Sequence, residues 1–260
     1  MKTFVDDTSI VKKIWSTTDI TLFIFAGAAA EFALNKQVDW LYFTGKLPGD
    51  PIGRLFSTVK YAQYIIFKEE KEAIASIEKI NSIHQNIELT RGQKISNDGY
   101  QDVLYMLIYY SISSFELLER RLTGEEKDEI VRSFARIGRQ MHIHDIPAHY
   151  STWAPIYESQ LTRNLLKSSF TENLFQQYRK HLGGFRYFLL LEIQKMLVPK
   201  HVNNLLGLGR PRFVQLLLPL YGQIRKYGLH KPFILMMVPN KFVPQVKAMD
   251  RPVQHGPGFA

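Results

Sequence analysis

Apolar residues recur at helical spacing through most of the chain. The stretch 18–37 is strongly apolar and predicts a helix that is buried on all sides. Asp50 followed by Pro51 is a typical helix start and predicts a helix that runs to about Phe67. A further helix is predicted over about 68–90. Its apolar stripe consists of Ala73, Ile77, Ile80, His84 and Ile87, so His84 is expected to point inward.

The second half of the chain continues this pattern. Asn97-Asp98-Gly99 predicts a turn, and an apolar helix follows over 101–122. Thr123, with acids in the next turn, predicts the start of a helix to about position 142. Further helices are predicted at 155–167, 171–183, 185–197, 199–206 and 211–227. The proline-rich tail is expected to wrap the surface, with one plausible short strand at 232–238.

These elements predict an all-α fold with roughly eight to ten helices in a single globular domain. The predicted divisions are an N-terminal lead-in at 1–17, a helical domain at 18–230 and a proline-rich tail at 231–260. Hydrophobic residues make up 45% of the chain and aromatic residues 13%, enough for a packed core.

The chain contains no cysteine. This excludes disulfides, thiolate-ligated haem, Cys-bound iron–sulfur clusters and c-type haem attachment. A metal or haem would have to be bound by His, carboxylates or Tyr. The absence of cysteine also fits a reducing compartment, and a cytoplasmic location is expected.

Charge and hydropathy limit the partners. The most apolar stretch, 20–34, has about 15 residues and contains Glu31, which is short for a membrane span. The start of the chain has acids where a signal peptide would be apolar. Residues 131–260 hold 18 Lys or Arg and 5 Asp or Glu. These charges are scattered without a nucleic-acid motif, so no nucleic-acid partner is expected. A solvated basic surface and a peripheral contact with an anionic membrane or ligand both stay open.

Three residues are the best candidates for chemistry. Arg54 and Thr58 lie one turn apart on one helix face. A buried Arg needs a partner, which could be a haem propionate, a phosphate, or a carboxylate such as Glu31 or Asp39. An inward His84 could be a core residue with its hydrogen bonds made, or a ligand to a metal or haem iron.

A second histidine cluster follows at His142, His144 and His149, with Asp145 between them. A His-x-His pair can bind zinc or iron. A polar loop or the lining of a pocket explains it as well, because no metalloenzyme spacing accompanies it. The chain has no P-loop and no Gly-x-Ser-x-Gly elbow, so nucleotide or serine-nucleophile chemistry is not indicated.

The order of these motifs resembles the MpaB-like oxygenase family, which includes the latex-clearing proteins. The resemblance covers about residues 20–225. It begins with the apolar helix Leu22–Leu34, and a loop then leads to Asp50-Pro-x-x-Arg54-x-x-x-Thr58. His84 follows near the end of the next helix. The remaining matches are Asp98-Gly99-Tyr100, Leu122-Thr123-x-Glu125-Glu126, and Leu197-Val198-Pro199 leading to Gly207.

The resemblance implies an all-helical fold that encloses haem b, with His84 as the proximal iron ligand. Arg54 and Thr58 would lie beside the haem, orienting it or the dioxygen. The implied activity is haem-dependent oxygenation of a hydrophobic small molecule with dioxygen, an unsaturated or prenyl-like compound being one option. Asp39 and Asp50 are weaker candidates for proton transfer. The alternatives are a haem protein for sensing, storage or electron transfer, and a cofactor-free helical module on acidic membranes.

Two departures from the family pattern argue for a different substrate. Latex-clearing proteins carry a lysine directly before the Thr, where this chain has Ser57. The helix after the Tyr often carries Trp and His in the family. Here it carries Tyr105, Leu107, Tyr109 and Tyr110. Different pocket walls are expected, and rubber cleavage is not carried over.

Overall fold

The computed structural model describes residues 3–43, 45–211 and 213–249. In these ranges the chain forms no β-strand, only isolated bridges between Thr3 and Glu69 and between Asn35 and Leu165. The all-α prediction is confirmed, with more helices than the eight to ten expected, because several are short.

The first seven helices are α1 (Ile10–Trp15), α2 (Thr18–Phe32), α3 (Val38–Phe43), α4 (Lys46–Gly49), α5 (Pro51–Phe67), α6 (Glu70–Arg91) and α7 (Asn97–Leu118). The next seven are α8 (Gly124–Gln140), α9 (Tyr150–Asn164), α10 (Ser169–Leu197), α11 (Lys200–Leu206), α12 (Phe213–Lys226), α13 (Lys231–Met237) and α14 (Val243–Met249). A 3₁₀ turn at Asn240–Phe242 precedes α14.

Local capping chemistry explains why two helices begin where the sequence predicts. Asp50 Oδ1 accepts from Gly53 N at 3.2 Å, and Pro51 occupies the first position of α5. At α8, Thr123 Oγ1 accepts from Glu126 N at 3.2 Å, while Glu126 Oε2 accepts from Thr123 N at 2.9 Å. This reciprocal pair is a capping box and fixes the helix start.

Of two breaks predicted from the sequence, one is wrong and one is confirmed. The expected turn at Asn97–Gly99 is wrong, because Ser96 Oγ accepts from Gly99 N at 3.1 Å and α7 begins at Asn97. The break predicted near Gly183 is confirmed, because Gly183 has the non-helical angles φ 74° and ψ 170° and divides α10 into two helical parts. Glycine adopts this backbone conformation readily.

The C-terminal segment from Lys231 also differs from the sequence prediction. The strand expected at 232–238 is wrong, because this segment forms α13. The tail does not simply wrap the surface: Ile234, Val238, Phe242 and Val246 are buried in a second apolar cluster with residues of α2 and α10. A continuous apolar run of this length does not distinguish a strand from two helical turns. The expectation for 250–260 lies outside the described residues.

Helix α2 is the centre of the packing. It contacts α7 most extensively and also packs against α1, α5, α10 and α11. Ile20, Ile24 and Ala30 are fully buried. None of the described helices combines the length and hydropathy needed to cross a bilayer.

The contact between α2 and α7 leaves no room for a side chain at Gly27. A Cβ there would lie 2.3 Å from Tyr110 Cδ1, so we predict that Gly27→Ala lowers the free energy of unfolding by about 1–3 kcal/mol. Urea denaturation measures this. Gly222→Ala in α12, where a Cβ meets no atom within 4 Å, is the control and should be neutral or slightly stabilising. Equal stability of the two variants would show that the α2–α7 packing is wrong.

Candidate functional site

The hairpin of α5 and α6 sets Arg54 opposite His84. Only Lys68 and Glu69 join the two helices, so they run antiparallel. Arg54 lies 13 residues before the end of α5 and His84 lies 14 residues after the start of α6. At 1.5 Å per residue both are roughly 20 Å from the connection. The fold therefore brings together the two residues that the sequence analysis grouped.

His84 is largely enclosed and makes no hydrogen bond in the described structure. Its Nδ1 atom is buried without a partner. Burial lowers the pKa of the imidazole, Glu88 opposes this effect, and the nearby charge of Arg54 lowers the pKa further. The ring is therefore neutral at pH 7 and has a lone pair available for a metal.

Tyr100 is the aromatic neighbour of His84, with ring centroids 5.3 Å apart. Its hydroxyl donates to Glu88 Oε1 at 3.2 Å, and the same oxygen accepts from Ile95 N at 2.9 Å. Glu88 is thus engaged by α7 and the loop before it. The carboxylate nearest to His84 does not hydrogen-bond to the imidazole.

Arg54 and Thr58 face outward from α5 and are exposed. Thr58 Oγ1 donates to Arg54 O at 3.1 Å, so its lone pairs remain free to accept a hydrogen bond. In the described part of the chain the Arg54 guanidinium has no carboxylate partner. Its charge is available to an anionic group placed between α5 and α6.

The carboxylates named in the sequence analysis have other partners or lie outside the described residues. Glu31 as a partner of Arg54 is wrong, because its hydrogen bonds come from α7 and α9. Asp50 caps α5 and lies 3.3 Å from Lys241 Nζ. The side chain of Asp39 lies outside the described residues.

Glu31 is the most unusual ionisable group of the core. It is 3% exposed, and its Oε2 accepts from Tyr157 Oη at 2.6 Å and from Tyr110 Oη at 2.9 Å. Burial raises the pKa of its carboxyl to about 8, although the two tyrosine hydrogen bonds act in the opposite direction. The sequence carried a signal for this site: one acid inside an apolar helix must be hydrogen-bonded or neutral.

The tyrosines of α7 surround Glu31 and α9, whereas they were expected to form the walls of the candidate pocket. Tyr110 binds Glu31, Tyr109 stacks on Tyr157 with centroids 5.0 Å apart, and Tyr105 meets Trp153 edge to face at 5.9 Å. Of the α7 tyrosines, the one in ring contact with His84 is Tyr100.

An apolar cleft lies on the other face of α5. The space between its walls is about 760 Å³, a figure that includes the part open to solvent. From α5 it is lined by Ile52, Leu55, Phe56 and Val59; from α2 and α10 by Phe23, Ala26, Ala29, Tyr178, Leu189 and Ile193, among others. Helical spacing places Arg54 and Thr58 on the opposite face of α5. The helix therefore separates the cleft from His84.

The histidines around position 145 do not form a metal site in the described structure. His142, His144 and His149 are exposed, and His149 Nδ1 lies 3.0 Å from Asp128 Oδ2. In the part of the chain that the structure describes, no three His or acidic side chains converge to hold a metal ion. The polar-loop interpretation is the one that these contacts support.

A comparison with known protein families identifies the family of the chain. Residues 16–224 match the family described as ER-bound oxygenase mpaB/B′/Rubber oxygenase, catalytic domain. The chain belongs to this family, which confirms the resemblance seen at Asp50–Thr58. Searches of curated proteins and of solved structures give no match to the chain.

The residues between α5 and α6 fit a haem. His84 offers a neutral imidazole with a buried, unbonded nitrogen, as an axial ligand requires. Arg54 offers a cation without a carboxylate partner in the described residues, suited to a propionate. Both belong to one hairpin, so one planar group could contact both.

Glu31 should make stability depend on pH. The folded state holds a proton that the unfolded state releases above its ordinary pKa of 4.5. The contribution of Glu31 to stability is therefore full below that pH and is lost as the pH rises through about 8. We predict a slope of up to about 1.4 kcal/mol per pH unit. Glu31→Gln, whose amide oxygen still accepts from both tyrosines, should remove most of the slope in urea denaturation.

The control for this titration is Glu158→Gln, an exposed acid on α9. It should keep the wild-type pH dependence. If Glu31→Gln and wild type lose stability in parallel between pH 5 and pH 8, Glu31 is not the group that holds the proton.

Proposed function

We propose that the protein is a haem b-dependent oxygenase that acts with dioxygen on a hydrophobic small molecule. One observation carries the proposal: a neutral His84 without a hydrogen bond lies across from Arg54 in a chain of this oxygenase family. A core histidine normally makes at least one hydrogen bond, and a buried nitrogen without one needs an explanation. An iron ligand provides it.

In this proposal His84 binds the iron and Arg54 binds a propionate. A bound haem would supply an iron that can bind and activate dioxygen. The Thr58 hydroxyl donates to Arg54 O, so it can accept a hydrogen bond from a ligand on the same face of α5. Ser57 has no amine, in contrast to the lysine of latex-clearing proteins, so its side chain would offer no nitrogen ligand to an iron.

The proposed substrate class rests on the family and on the apolar surfaces of the fold. The cleft behind α5 is an apolar recess lined by side chains of α2, α5 and α10. A molecule held wholly within it would be separated from His84 by α5. We therefore place the reaction on the Arg54 side of the helix.

His84 is tested by the visible spectrum of the haem-loaded protein. We predict that His84→Ala loses the wild-type haem bands and that added imidazole restores them, because free imidazole can occupy the space left by the side chain. His144→Ala is the control, since its side chain is exposed and its hydrogen bonds are made by the backbone. Identical spectra for wild type and His84→Ala would rule out His84 as the ligand.

Arg54 is tested by haem affinity. We predict that Arg54→Gln raises the dissociation constant for haem about fivefold, because a solvent-facing ion pair contributes about 1 kcal/mol. Lys60→Gln makes the same charge change at an exposed position of the same helix and should bind haem like wild type. Equal weakening in both variants would mean that only net charge matters, and Arg54 would lose its proposed role.

A further inference from the structure

We propose that α12, α13 and the turn between them form a surface that binds anionic membranes. Seven large apolar side chains in this segment are at least 44% exposed. We call them the apolar patch; they are Leu216, Leu217, Leu220, Tyr227, Leu229, Phe233 and Met236. A cluster of this kind marks an interaction surface, whereas single exposed apolar residues are normal.

The contacts of α12 with the rest of the protein fix which side faces out. Arg225 Nε lies 2.6 Å from Asp19 Oδ2, and Tyr221 Oη donates to the same oxygen at 2.8 Å. Asp19 is 1% exposed, so this ion pair is a buried attachment of α12 to α2. On a helical wheel Leu216 and Leu220 lie well away from Tyr221 and Arg225, and they face solvent.

Helix α13 also has one buried side and one exposed side. Ile234 and, just after the helix, Val238 are buried in the apolar cluster, whereas Phe233 and Met236 face solvent. The apolar patch therefore extends over two helices that are each packed against the body by their other side.

The charge of this segment selects the partner. Between positions 193 and 249 the chain has nine Lys or Arg and no acidic residue. Arg210, just before α12, and Lys226, at the end of α12, are exposed, and so is Lys200 at the start of α11. An anionic bilayer offers both an apolar interior for the patch and negative headgroups for the cations, each worth about 1 kcal/mol. A second copy of the chain would bring like charges together, and a nucleic acid would leave the leucines in water.

The position of the apolar patch also matters for the substrate, a point that rests on the proposed function. Met237, Val238 and Pro239 line the apolar cleft and follow directly on Met236. Arg186, which also lines the cleft, donates from Nε to Met236 O at 3.0 Å. A hydrophobic molecule dissolved in the bilayer would thus lie next to the cleft without crossing water.

The absence of cysteine allows a direct experiment. We would prepare Leu220→Cys and, as the control, Leu89→Cys, an 80% exposed position on α6, and label each with a fluorophore that brightens in apolar surroundings. Vesicles of phosphatidylcholine alone are compared with vesicles that also contain phosphatidylserine. We expect brightening only at position 220, only with phosphatidylserine, and less of it at high salt.

A second variant set separates insertion from charge alone. Leu216→Ser, Leu217→Ser and Leu220→Ser combined should weaken vesicle binding more than about tenfold in flotation assays, without loss of helix content, because these side chains are exposed. The proposal is overturned by equal brightening at positions 220 and 89, by equal binding to both vesicles, or by unchanged flotation of the triple variant. A label at position 220 that is already bright without vesicles, covered by the chain's own tail or a second copy, overturns it too.

The measurement needs no haem. A negative vesicle result therefore does not affect the assignment of His84. A haem spectrum that His84→Ala leaves unchanged does not affect the proposed membrane binding.

Discussion

The carboxyl groups of α2 determine how the other helices pack. Both lie in a helix that is buried on nearly all sides, and a buried charge without a partner costs several kcal/mol. Glu31 is held by tyrosines of α7 and α9, and Asp19 by Arg225 and Tyr221 of α12. Three helices that are distant in sequence are thereby tied to one. The two acids use different chemistry: Asp19 is paired with a cation, whereas Glu31 faces neutral donors and keeps its proton.

Around this core, α5 divides the molecule into two regions. One face carries Arg54 and Thr58 towards the His84 side of the hairpin, and the other lines the apolar cleft. The first region has a charge and an imidazole nitrogen without a hydrogen bond, and the second is nearly all apolar. A reaction at the first and delivery of a hydrophobic molecule at the second would use both faces of one helix. The apolar patch lies at the edge of the second region, where α13 ends beside the cleft.

Features set by neighbouring residues could be predicted from the sequence. The starts of α5 and α8 depend on side chains within three positions, and both predictions are confirmed. The inward orientation of His84 could be predicted because His84 belongs to the apolar stripe of α6. In the structure its side chain is largely enclosed by the protein. The grouping of Arg54 with His84 needed only the lengths of two adjacent helices.

Features set by distant residues could not be predicted. The partners of Glu31 lie 79 and 126 positions away, so the sequence showed that it needed partners without showing which ones. The tyrosines of α7 were assigned to the wrong site for the same reason. Helix α13 was taken for a strand because its helical packing depends on α2 and α10.

The central claim is that His84 Nε2 or Nδ1 bonds to a haem iron. The most direct measurement is resonance Raman spectroscopy of the reduced, haem-loaded protein, prepared with ordinary and with ¹⁵N-labelled histidine. The account predicts an iron–nitrogen stretching band that shifts with the label and is absent from His84→Ala. A band that does not respond to the label, or that persists unchanged in His84→Ala, would contradict it.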